Sequence, residues 1–225
     1  MAELKLIVFD MDGTLVDSLA SIKAAMVSAF GAVGRPAPDP KAVSRIVGLS
    51  LPEAMDRLCP GLDEAALDQL VEAYKASFKS RAEGGQDRKS GLYPGTLEAL
   101  ERLAARDEVL LGIATGKSRR GLDRVLDEHG LTHFFVTTQA ADDHPSKPHP
   151  SMLFQTMKDS GAEARNAIMV GDTSFDMEMG QAAGFATLAV DWGYHPREML
   201  EPIATRMIED FSQIDAAVDA IWADK

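Results

Sequence analysis

The stretch Leu6-Ile7-Val8-Phe9-Asp10-Met11-Asp12-Gly13-Thr14-Leu15-Val16-Asp17-Ser18 passes from an apolar run into two carboxylates and a Gly-Thr turn. A short segment that is apolar at every position reads as a strand buried on both faces, as in a parallel sheet covered by helices. Side chains alternate along a strand, so Asp10 and Asp12 leave its end toward one crevice. Carboxylates that close repel each other unless a cation or a shared proton holds them. The position therefore asks for a divalent metal, or for one acid and one base.

Outward from this strand, further short apolar and β-branched runs fall at 109–114, 134–137, 166–170 and 186–190. Amphipathic helical patterns separate them at 95–105, 118–129, 150–160 and 174–183. Strands alternating with helices predict an α/β fold, a Rossmann-like parallel sheet with helices on both faces. Pro94 and Pro150 suit first helical turns, and Gly130, Gly161 and Gly184 suit left-handed caps. Residues 17–92 break the alternation. They show no strand, only helical patterns near 18–33, 39–47, 51–58 and 63–82, and they far exceed a single crossover. The expected division is a core of 1–16 and 93–225 with a helical insert at 17–92. The polar stretch Glu83-Gly84-Gly85-Gln86-Asp87-Arg88-Lys89-Ser90-Gly91 reads as the return linker.

Composition narrows the partners. The chain has 225 residues, 45% apolar and 26% charged, with a net charge of −12. This balance is that of a globular protein and disfavours nucleic acid and anionic membrane as partners. The lone Cys59 excludes an intrachain disulfide and a cysteine-based zinc site. No signal peptide and no apolar run of about 20 residues is seen, so a cytoplasmic protein, monomer or homodimer, is expected. An anionic substrate would need local cations to overcome the global field.

Three later features join the opening one. Ile113-Ala114-Thr115-Gly116-Lys117-Ser118 leaves a strand and opens a helix, where a hydroxyl and free N–H groups form an anion site. Ser146-Lys147-Pro148-His149-Pro150 sets one lysine in a proline-stiffened loop. Met169-Val170-Gly171-Asp172-Thr173-Ser174-Phe175-Asp176 adds two carboxylates after an apolar strand. Ligands of open parallel sheets bind at the carboxyl ends of the strands, so all four features converge on one rim.

In this order the motifs Asp10-Met11-Asp12-Gly13-Thr14, Thr115, Lys147 and Gly171-Asp172 with Asp176 resemble those of the haloacid dehalogenase (HAD) superfamily, in its phosphatase branch. The match covers nearly the whole chain, and 17–92 corresponds to that family's helical cap. Leu15-Val16-Asp17-Ser18 and the length are most similar to phosphoglycolate phosphatase-like hydrolases. The resemblance implies a phosphatase of a small phosphorylated metabolite. Asp10 would be the nucleophile that forms an aspartyl-phosphate, and Asp12 the acid and base, its pKa raised by crowding carboxylates. Mg²⁺ would be held by Asp10, Asp172 and the backbone carbonyl of Asp12, with Asp176 ordering metal-bound water or the loop. Gly13, Thr115, Gly116 and Lys147 would cradle the phosphoryl oxygens.

Asp12 sets the chain apart from the dehalogenases, which lack the second aspartate. The absence of His and Trp in Leu19-Ala20-Ser21-Ile22-Lys23-Ala24 disfavours a phosphoglucomutase-like activity. Pyrophosphatase and sugar or nucleotide phosphatase remain alternatives. A phospho-accepting regulatory domain fits less well, because no Asp follows Thr137-Thr138-Gln139 directly. Arg45 is expected to pair with a substrate carboxylate, and Trp192-Gly193-Tyr194-His195-Pro196 reads either as a wall of the pocket or as an aromatic surface anchor.

Overall fold

The structure, a computed structural model, describes residues 3–83 and 90–224. Within the expected return linker, residues 84–89 lie outside the described residues. The chain runs from β1 (Lys5–Phe9) through β2 (Val16–Asp17) into the helices α1 (Leu19–Ala32), α2 (Pro40–Ser44), α3 (Leu51–Leu58) and α4 (Glu64–Glu83), and returns at β3 (Gly91–Leu92). Then follow α5 (Thr96–Ala104), β4 (Val109–Ala114), α6 (Arg119–His129), β5 (Phe135–Gln139), α7 (Ser151–Ser160), β6 (Ala167–Gly171), α8 (Ser174–Ala183), β7 (Ala186–Val190), α9 (Arg197–Leu200), β8 (Arg206–Ile208) and α10 (Ile214–Ala223).

Six strands form one sheet in the order β5-β4-β1-β6-β7-β8, with every pair parallel. β1 lies between β4 and β6, with Phe9 opposite Ile113 on one side and Val170 on the other. Alternate residues of β1 feed two cores. Ile7 and Phe9 pack with Leu100, Leu122 and Ile214 from α5, α6 and α10, whereas Leu6 and Val8 pack with Met152 and Met179 from α7 and α8. This two-faced burial is why the strand is apolar at every position. The chain builds β4 and β5 on one side of β1, then crosses to build β6, β7 and β8 on the other. Such a reversal opens a crevice beyond the strand ends, here directly beyond Phe9.

The helices between β2 and β3 have a core of their own, with Met26 and Phe30 of α1, Met55 of α3, and Leu70 and Val71 of α4. Phe175 of α8 belongs to that same cluster and ties the insert to the sheet. β2 and β3 pair antiparallel, Val16 with Leu92 and Asp17 with Gly91, and so clamp the two ends of the insert together. This ribbon and β8 go beyond the sequence expectation, because strands of two or three residues carry no readable alternation. α2 is also shorter than the expected 39–47.

Candidate active site

Asp10 stands one residue beyond β1, its backbone N–H donating to Val170 O at 2.9 Å, so the strand ladder itself fixes its position. Its side chain is 1% exposed, and neither carboxylate oxygen accepts a hydrogen bond. Lys147, also fully buried, brings its ammonium to 2.9 Å from Asp10 Oδ1 and 2.6 Å from Asp176 Oδ1. Burial pushes the Asp10 carboxyl up from 3.8 to about 7, with Lys147 opposing the rise and Asp176 adding to it. Burial also disfavours the charge on Lys147, but Asp10 and Asp176 outweigh that and leave its pKa above the ordinary lysine value.

Asp172 follows β6 and is buried to 0% exposure. Its Oδ1 accepts from the Thr14 hydroxyl at 2.8 Å and its Oδ2 from the Tyr194 N–H at 2.9 Å. Burial, then Asp176 and Asp10, raise its pKa well above the usual carboxylate range. Two glycines make room for this carboxylate. Gly13, at φ +92°, and Gly193 each lie where an added Cβ would overlap Asp172. The Gly13 N–H already donates to Val16 O at 2.9 Å. Gly13 thus supplies the turn and the space that Asp172 occupies.

Asp176 occupies the third position of α8. Its Oδ2 accepts from the Thr173 N–H at 3.0 Å and the Thr173 hydroxyl at 2.7 Å, which caps the helix. With Oδ1 held by Lys147, both of its oxygens are engaged.

Asp12 has different surroundings from those expected. Lys117 Nζ lies 2.9 Å from Oδ2, and the Ser18 hydroxyl donates to Oδ1 at 2.5 Å. The Tyr194 hydroxyl lies 3.2 Å behind Ser18, and burial followed by Asp12 raises the tyrosine pKa, so it stays a protonated phenol. Neighbouring carboxylates add to the rise at Asp10 and Asp172. Thr115, at the end of β4, donates its N–H to Gln139 O at 3.1 Å and accepts the Lys117 N–H on its hydroxyl at 3.2 Å. Gly116 touches the insert: a Cβ there would collide with the carbonyls of Gly48 and Leu49.

Asp10, Asp12, Thr115 and Gly116 line a cavity of about 940 Å³ between sheet and insert. Lys147, Asp172 and Asp176 stand behind its floor. The Arg45 side chain is exposed and is not among the lining residues, while its carbonyl accepts from His195 Nε2 at 3.2 Å. Trp192, Tyr194 and His195 buttress the site from behind and do not wall the cavity: Trp192 Nε1 donates to Thr14 O and His195 Nδ1 accepts the Ser174 N–H. Thr14, Ser18 and Lys117 are functional partners that the sequence reading passed over as parts of turns.

One oxygen from each of Asp10, Asp172 and Asp176 falls within 4.8 Å of the others, a group able to hold a metal ion. Hard carboxylate oxygens, two of them on Asp10 with no hydrogen bond, fit a small divalent cation such as Mg²⁺. Both oxygens of Asp172 and of Asp176 already accept hydrogen bonds, and each carboxylate still has lone pairs to offer a cation.

The parallel sheet with its reversal at β1, the buried acidic group and the helical insert together define a class of hydrolase. Residues 7–190 match the family model of the haloacid dehalogenase-like hydrolases, and the chain belongs to that family and is an enzyme. A probable phosphatase, IndB, of Dickeya dadantii is 33% identical over 96% of this chain and 94% of its own length. A phosphoglycolate phosphatase of Pseudomonas syringae is 33% identical over 93% of this chain and 78% of its own. A solved structure described as a predicted phosphoglycolate phosphatase from Haemophilus somnus superposes with a TM-score of 0.82 at 25% identity, covering 96% of this chain and 99% of that one.

Proposed function

We propose that this hydrolase is a Mg²⁺-dependent phosphomonoesterase that works through an aspartyl-phosphate on Asp10. The observation that carries the reading is Asp10 itself, buried at a strand end, with two oxygens that accept no hydrogen bond and a lysine at 2.9 Å. A carboxylate needs no base to become a nucleophile once it is ionised, and Lys147 favours that state. Its relatives named phosphatases support the phosphoryl chemistry, and those named phosphoglycolate phosphatases make a small carboxylated ester the reference substrate.

An Asp10 oxygen attacks phosphorus, the P–O bond to the leaving alcohol breaks, and Asp12 protonates that oxygen. Water then attacks the same phosphorus and gives its proton to Asp12. The P–O bond to Asp10 breaks, releasing phosphate and restoring the carboxylate. The Thr115 hydroxyl and the Gly116 N–H hold the phosphoryl oxygens. Lys147 orients Asp10, while Ser18 and Lys117 orient Asp12. A divalent cation on Asp10, Asp172 and the Asp12 carbonyl supplies charge neutralisation between an anionic nucleophile and an anionic ester.

Asp10→Asn should lower turnover of p-nitrophenyl phosphate by roughly 10³-fold or more, with far-ultraviolet circular dichroism unchanged. Chelation should stop wild-type turnover and added Mg²⁺ restore it. Wild-type rates in the Asn variant, or indifference to the chelator, would contradict the assignment.

A further inference from the structure

The cavity under the insert is much larger than a glycolate leaving group requires. It measures about 940 Å³. Glycolate has about five non-hydrogen atoms, and at the roughly 30 Å³ that a water molecule occupies these fill about 150 Å³. The excess is not a gap left by a lifted insert, because the loop before α3 is seated on the core. Its Ser50 N–H donates to Ser146 Oγ at 2.9 Å, and Gly48 and Leu49 press against Gly116. At the outer end α4 meets α6, with the Arg124 guanidinium 5.0 Å from the Phe78 ring centre and Lys117 Nζ at 6.0 Å.

Two features describe what would fill the space. Along the side of the insert the lining is apolar and aromatic, with Met26, Val47, Val71, Tyr74 and Phe78. The charged lining runs against the character of the chain. Among the described lining residues, Lys75, Lys79, Lys117, Arg120 and Arg124 outnumber Asp10, Asp12 and Asp142, in a protein of net charge −12. Asp10, Asp12 and the Lys117 paired with Asp12 belong to the reacting end, and beyond them Arg120 and Arg124 share the lining with Asp142. Lys75 is held by Glu72 at 2.8 Å. Arg120 and Arg124 stand one turn apart on α6, a spacing that puts both on one face.

We infer that the leaving group is an extended alcohol with an apolar body of aromatic size, lying along α1 and α4, and a second anion at its far end received by Arg120 and Arg124. Guanidinium groups suit either a carboxylate or a phosphate there, and the volume lies in the range of sites for much larger ligands than glycolate. This inference rests on the phosphomonoesterase reading and narrows its substrate.

Binding separates the two. The Asp10→Asn protein with Mg²⁺ is titrated by calorimetry with four esters: 3-(4-carboxyphenyl)propyl phosphate, its counterpart bearing a phosphate in place of the carboxylate, 3-phenylpropyl phosphate, and phosphoglycolate. One of the two doubly anionic long esters should bind at least about tenfold more tightly than 3-phenylpropyl phosphate and than phosphoglycolate, and which one does so distinguishes carboxylate from phosphate. Adding Arg120→Gln and Arg124→Gln should bring the ratio of charged to neutral long ester close to one. Phosphoglycolate binding as tightly as the long esters, no binding of any long ester, or a ratio that survives the double substitution would overturn the inference. Wild-type turnover is measured alongside: failure to hydrolyse any ester, p-nitrophenyl phosphate included, would refute the chemistry, while the affinity order still judges the pocket.

Discussion

Lys147 shows how tightly the site is balanced. Its ammonium is fully buried between Asp10 and Asp176, at 2.9 and 2.6 Å. Removing one member of a buried charge group leaves the others uncompensated, at a cost of about 3–5 kcal/mol. Lys147→Met should therefore destabilise the protein by about that amount in denaturant unfolding and also abolish turnover; a loss below about 1 kcal/mol would show that the group is less buried than described. Asp10, Thr115 and Asp172 were legible in the sequence because a polar residue directly after an apolar strand has little structural reason to be there, and Lys147 because it is the one lysine of a proline-stiffened loop leading into a helix. Thr14, Ser18 and Lys117 were not, because a hydroxyl or an ammonium in a turn gives no sign of its direction until the neighbouring loops are placed. At Arg45 the main-chain carbonyl faces the core and the guanidinium is exposed, a distinction that residue type alone does not give.

The loop between α2 and α3 is the element on which closure depends. Its contacts to the core are mostly main-chain ones, from Arg45 O, Gly48 O, Leu49 O and Ser50 N. Ser146→Ala removes one partner of a half-buried hydrogen bond, a change of about 0.5–1.5 kcal/mol at most. It should leave the melting temperature nearly unaltered while lowering kcat/KM several-fold through KM, and an unchanged kcat/KM would show that the loop does not need this contact to close. β1, β4, β6 and β7 were readable because burial on both faces leaves them almost wholly apolar, whereas the edge strand β5 runs on into Thr137, Thr138 and Gln139, past the expected 134–137; the helices α6, α7 and α8 were readable because Gly130, Gly161 and Gly184, at φ +66°, +73° and +76°, end them. β2, β3 and β8 were not readable. Their pairing is set by where the insert and the sheet edge bring them, and two or three residues carry no period. Asp176 caps α8 and also holds Lys147.

The architecture reconciles an acidic chain with an anionic substrate by local arrangement. Reversal of the sheet at β1 gathers strand ends that are far apart in sequence, and the insert, clamped at β2 and β3, adds a second wall with its own core. Three buried carboxylates on one wall call for a cation, and the basic groups of α4 and α6 set a positive rim around the remaining space. Among the described residues no helix is long and apolar enough to cross a membrane. All of this places one atom group, the Asp10 carboxylate, where the reaction would begin. The most direct test is to mix the enzyme with Mg²⁺ and a phosphate ester, quench in acid within the first turnover, and locate phosphate by peptide mass spectrometry. The account predicts phosphate on the Asp10 carboxylate, released by hydroxylamine and absent in Asp10→Asn; phosphate on another residue, or turnover with no phosphorylated peptide in the first cycle, would contradict it.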